Sequence, residues 1–68
     1  MTLKNLINTK FRRFKTDPTM RIGIYDPSIS FSIHPDYADE ILETHGDKKV
    51  ISYRYFKPQK TLVVEFEK

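Results

Sequence analysis

The sequence predicts a small α+β domain of order α-β-β-α-β-β, and three observations predict it. The opening residues MTLKNLINTKFRRFK space their apolar side chains as a helix does. Two later stretches, 22–33 and 51–66, alternate apolar and polar residues on either side of a proline-bearing turn. Between them lies a run with helical spacing, opened by Pro35 and closed by Gly46. The 68 residues make a single domain, with a basic amphipathic helix or arm over 1–17 and a ββαββ core over 21–67.

In the first helix Thr2 is the natural N-cap, and Leu3, Leu6, Ile7, Phe11 and Phe14 form one stripe. Lys10 falls inside that stripe. Either its stem snorkels out, or the helix ends near residue 9 and KFRRFK becomes an extended arm. Asp17-Pro18 stops the helix in both cases, because a residue before proline is driven out of the α region.

The first hairpin pairs Ile22 and Ile24 with Ile29, Phe31 and Ile33 across the turn Asp26-Pro27-Ser28. In the second helix Pro35 suits the first helical position, and Asp36, Asp39 and Glu40 complement the positive end of the dipole. His45 sits near the negative end, and Gly46 reads as the C′ stop. Tyr37, Ala38, Ile41 and Leu42 form its packing stripe. The last hairpin sets Ile51, Tyr53 and Tyr55 on one face and Ser52, Arg54 and Phe56 on the other. After Lys57-Pro58-Gln59-Lys60 it returns through Leu62, Val64 and Phe66. Two short hairpins predict a small antiparallel sheet of four strands, extended or closed across a dimer.

Charge is unevenly placed. Residues 1–21 carry six Lys or Arg against one Asp, a net of +5, whereas residues 22–68 carry six against eight carboxylates, a net of −2. The pI near 9.3 is therefore a property of the N-terminal segment. Such asymmetry points to an electrostatic partner at that end. The residues assigned to phosphate contact are Arg12, Arg13 and Lys15, with Lys10, Lys4 and Arg21 in support. The apolar stripe of the same segment is needed for the core. Its role is thus split, with Leu3, Leu6 and Ile7 packing and the cations facing a partner. Phe11 and Phe14 read first as core, and as a stacking surface for unpaired bases second. Tyr53, Arg54, Tyr55 and Phe56 imitate a stacking platform, which cross-strand packing explains equally well. Lys48, Lys49, Arg54, Lys57 and Lys60 read first as strand-edge protection and second as a basic patch at one end of the last hairpin, and Asp36, Asp39, Glu40 and Glu43 first as a solvated face and second as a docking site for a basic partner.

Composition narrows the remaining classes. A chain this short buries about 60% of its unfolded surface, so its core needs help. With no cysteine, disulfides and thiolate metal sites are excluded, which leaves self-association as the common aid, and a homodimer is expected. His34 and His45 lie eleven residues apart without a cysteine, so no metal or other cofactor is expected. No glycine-rich phosphate loop, nucleophile elbow or diagnostic carboxylate pair is present, and no enzymatic activity is expected. No apolar run nears the roughly 20 residues that span a bilayer, nor is there the apolar block of a secretory signal. The expected location is the cytoplasm. The bias to Ile and Lys, with Ala38 the single alanine, fits an AT-rich bacterial or phage genome.

Residues 29–66 carry Ile33 and Pro35 flanking His34, a short helix, Gly46-Asp47 before a strand, and a closing hairpin. In this they resemble the swapped-hairpin domain of AbrB- and MazE-type regulators. The resemblance implies an intertwined dimeric β-barrel that binds DNA, or an antitoxin that also binds its toxin. The expected function is a small regulator that binds nucleic acid, DNA ahead of RNA, through its basic N-terminal segment. The alternative is a protein-binding modulator, such as an antitoxin or a phage-encoded inhibitor of a host enzyme, that engages an acidic protein surface.

Overall fold

The computed structural model describes residues 1–26 and 35–67. Their elements are α1 (Leu3–Lys10), a 3-10 turn (Arg12–Lys15), β1 (Arg21–Ile24), β2 (Asp36–Tyr37), α2 (Ala38–His45), β3 (Val50–Phe56), a second 3-10 turn (Lys57–Gln59) and β4 (Thr61–Phe66). The strands form one sheet in the order β2-β1-β4-β3. The α+β class holds. The turn and second strand expected over 27–33 lie outside the described residues, as does His34.

The sheet is mixed rather than antiparallel. β1 runs parallel to β4, from Arg21 opposite Thr61 to Ile24 opposite Val64, while β1–β2 and β3–β4 are antiparallel. Strand composition explains the arrangement. β4 carries the continuous apolar run Leu62-Val63-Val64 and takes a central position. β3, with Ser52 and Arg54, takes the edge. A bulge between Val50 and Ser52 turns Ile51 outward, so it is 58% exposed and does not share the covered face expected for it.

α1 forms for the reasons its sequence contains. Thr2 Oγ1 accepts from the Asn5 amide at 3.2 Å, as an N-cap should. The Leu3 and Lys4 amides, which have no partner inside the helix, donate to the carbonyls of Lys48 and Gly46 at 3.0 and 2.9 Å. Leu3, Leu6 and Ile7 are fully buried and join Phe14, Met20, Ile22, Ala38, Leu62 and Val64 in one core. The conflict posed by Lys10 is resolved by a break. The helix ends at Lys10, Phe11 leaves helical geometry at φ −131°, and the chain re-coils as a 3-10 turn. That break leaves Lys10 exposed and still returns Phe14 to the core, where it is 4% exposed. KFRRFK is therefore not an extended arm.

α2 begins later than its sequence suggests. Pro35 and Asp36 precede the helix, and Asp36-Tyr37 pairs with β1 as β2, so proline does not take the first helical position. Pairing with the open edge of β1 satisfies backbone groups that one extra helical turn would leave unmet. Tyr37 is exposed instead of packing, and the Arg21 guanidinium lies 5.2 Å from its ring centre. Gly46 closes α2 at φ −58°, not in the left-handed conformation of a C′ glycine. Glycine is required there for space: a Cβ would collide with the Leu42 carbonyl.

Candidate nucleic-acid interface

The N-terminal cations are positioned by the break at Phe11. Because the chain re-coils there, Lys10, Arg12 and Arg13 stay exposed on one short turn beside the half-buried Phe11. Arg12 Nε donates to the Asn8 carbonyl at 3.0 Å, meeting an unpaired acceptor at the C-terminal end of α1. Across from this turn, the end of β3 brings Tyr55 and the start of the second 3-10 turn brings Lys57.

Together these residues enclose an open hollow of about 440 Å³. Its floor is Phe11, Phe14, Met20 and Tyr55, and its rim is Lys10, Arg12, Arg13 and Lys57, with Thr9 at one side. Among the described residues, no carboxylate lines it. The floor is fixed by ring-to-ring packing. Phe11 lies 5.7 Å from Phe14 at 81°, 5.8 Å from Tyr53 at 86° and 5.6 Å from Tyr55 at 51°. Edge-on and tilted contacts of this kind hold the rings in place. Tyr53 and Tyr55 thus belong to the helix-covered face, whereas Arg54 and Phe56 lie on the other, with the Arg54 guanidinium 5.5 Å from the Phe56 ring centre. The four residues do not form one platform.

The remaining sequence-derived candidates stand apart. Lys15 lines a separate depression of about 330 Å³ that also contains Asp17 and Asp39. Lys4 is exposed near the opposite end of α1 from Lys10. Arg21 sits on the far face of β1, because alternation turns it away from the buried Ile22. Lys60 is engaged: its Nζ lies 3.6 Å from Asp17 Oδ2 and 3.3 Å from Thr19 Oγ1. The Asp17 carboxylate also accepts from the Thr19 hydroxyl and amide. Those two bonds first, and the nearby Lys60 charge after them, hold its pKa below the usual carboxylate value.

A second hollow, of about 430 Å³, lies at the opposite end of the sheet. It mixes signs, with Lys48 and Lys49 beside Asp26, Glu65 and Glu67. His45 lines it, stacked on Phe66 at 5.8 Å and 7°, with Nδ1 2.6 Å from the Thr44 hydroxyl. Partial burial, and then the charge of Lys48, lower the pKa of His45. Among the described residues, no group of three or more His, Asp or Glu side chains is placed to hold a metal ion. No described helix is long and apolar enough to cross a membrane.

Sequence reasoning had no means of joining Lys57 and Tyr55 to the N-terminal cations. They lie more than forty residues away, and no local pattern records the β3–β4 register that delivers them. No protein-family model, curated protein or solved structure matches the chain.

Proposed function

We propose that the protein is a small regulator that binds nucleic acid through the hollow between α1, the first 3-10 turn and the end of β3. One observation carries the reading: four cations, Lys10, Arg12, Arg13 and Lys57, ring an aromatic floor with no carboxylate among the described residues that line it. Phosphates meet the rim, and each neutralised phosphate releases condensed counterions. The first turn of α1 plays no part in anion binding, because its leading amides are already bonded to Thr2, Gly46 and Lys48. Side chains alone supply the charge, which positions a backbone without reading its sequence.

The test is fluorescence anisotropy with a labelled oligonucleotide over a range of salt. Log affinity should fall linearly with log salt. Arg12→Ala plus Arg13→Ala should lower the slope by about 1.4 for a single strand or about 1.8 for a duplex. Since Arg12 also caps α1, Lys10→Gln plus Lys57→Gln serves as the parallel variant, and circular dichroism checks both for folding. Unchanged affinity and slope in a folded variant overturn the proposal.

A second reading, a protein-binding modulator, is favoured by β3. Among the described residues it is an edge strand with Ile51, Tyr53 and Phe56 exposed, where Met1 and Thr2 cover only its beginning, through the Val50 amide and a bridge to Lys49. Affinity capture from a bacterial lysate, repeated after nuclease treatment, separates the readings. Nucleic acid lost on treatment supports the first, and a stoichiometric protein that survives it supports the second.

A further inference from the structure

We infer that the hollow takes an unpaired nucleobase, so that the ligand class is single-stranded rather than duplex nucleic acid; this rests on the nucleic-acid reading above. The cations do not stand on a ridge. They surround a recess whose floor is made of Phe11, Phe14, Met20 and Tyr55. A duplex reaches such a site only with phosphates at the rim, since its base faces are stacked away. An unpaired nucleotide brings both parts at once: a π face for the floor and a phosphate for the rim.

The rings differ in what they offer. Phe14 is 4% exposed and belongs to the core. Phe11 and Tyr55 are half-buried, and Phe11 contacts Phe14, Tyr53 and Tyr55. Phe11 is thus held by three rings while still lining the hollow, which makes it a preorganised stacking surface. Tyr55 is steadied in turn by its hydroxyl, 4.0 Å from the Met20 sulfur. The volume of about 440 Å³ falls within the range of small-ligand sites. Charge complementarity selects the occupant: an apolar ligand would leave four cations unused, whereas a nucleotide uses floor and rim together.

The experiment compares three labelled probes of equal length at one salt concentration: oligo(dT), its duplex with oligo(dA), and an abasic strand with the same phosphates. The wild-type chain should bind oligo(dT) more tightly than either of the others. Phe11→Leu keeps apolar bulk but removes the π face. It should weaken oligo(dT) binding about five- to hundred-fold, leave abasic binding and the salt slope unchanged, and so erase the preference. Equal affinity for oligo(dT) and the abasic strand, with a salt slope intact, overturns base insertion while the electrostatic reading stands. Duplex bound more tightly than oligo(dT) also overturns it. No binding of any probe overturns both. If Phe11→Leu fails to fold, the wild-type comparison of oligo(dT) with the abasic strand decides alone.

Discussion

The two helices are of equal length, eight residues each, and contribute to the same core, yet they do opposite work. α1 buries Leu3, Leu6 and Ile7 completely, is capped by Thr2, and has no acid in its first turn. α2 buries only Ala38, has no side-chain cap, and carries Asp39 and Glu40 in its first turn. Its Ile41 and Leu42 are half-buried against the core. The difference teaches that the cationic segment cannot be treated as an appendage. The helix that leads into the cationic rim also buries three side chains completely in the core, so rim and core are joined through one short element.

The comparison breaks first, if it breaks, on core truncations. Leu6→Ala should cost about 2–5 kcal/mol, against about 1–2 kcal/mol for Ile41→Ala on the half-covered stripe of α2. A chain of this length holds roughly 3–10 kcal/mol in all, so the first change alone threatens folding. Urea denaturation of both variants measures the difference. Equal losses would mean that α2 supports the core as much as α1 does.

Gly46→Ala should have the next largest effect, about 1–3 kcal/mol, because the new methyl group meets the Leu42 carbonyl. It also sharpens the link between the helices, since the Gly46 carbonyl accepts from the Lys4 amide. Hydrogen exchange at Lys4 should accelerate more than at Ile22 in the sheet.

Thr2→Ala should cost about 1 kcal/mol by removing the acceptor for the Asn5 amide, and Thr2→Ser should restore most of it. Denaturation midpoints of the pair check this. A null effect of the alanine change would show that the Gly46 and Lys48 carbonyls secure the start of α1 without the cap.

These expectations also mark how far the chain was legible. The N-cap, the Leu3-Leu6-Ile7 stripe and the last hairpin were readable, because each is a local pattern with a fixed period or a fixed chemical partner. The parallel pairing of β1 with β4 was not, because it joins residues forty positions apart and depends on which strand gains most from a central place. The start of α2 departs from the local pattern because Pro35 obeys helix-start rules that an available strand edge overrides. At the candidate site Lys10, Arg12 and Arg13 were visible as charge, but the floor was only half visible. Phe11 and Phe14 stood out by spacing, whereas Tyr55 and Lys57 arrive through tertiary register. Arg21 shows the converse, since a residue adjacent to the basic run in sequence ends on the other face of the sheet.

The smallest expected effect concerns the charge of α2. Repulsion from Asp36 first, then a side-chain hydrogen bond with Asp36 that favours the protonated acid, with the charges of Asp39 and Glu43 adding to them, raises the pKa of Glu40 above its ordinary 4.5. Folding therefore favours the protonated acid. The penalty is absent below the ordinary value and develops as the pH rises through the raised one, so it is fully present at neutral pH. Glu40→Gln should raise the melting temperature slightly at pH 7 and leave it unchanged at pH 3. The neutral amide also surrenders a favourable interaction with the positive end of the helix dipole, which makes the net gain small. Thermal scans at the two pH values separate the contributions, because helix propensity persists at both and repulsion does not. A gain that persists at pH 3 would assign the effect to propensity. A loss at pH 7 would show that the dipole outweighs the repulsion, and that the acidic face of α2 stabilises its own helix as the Thr2 cap stabilises α1.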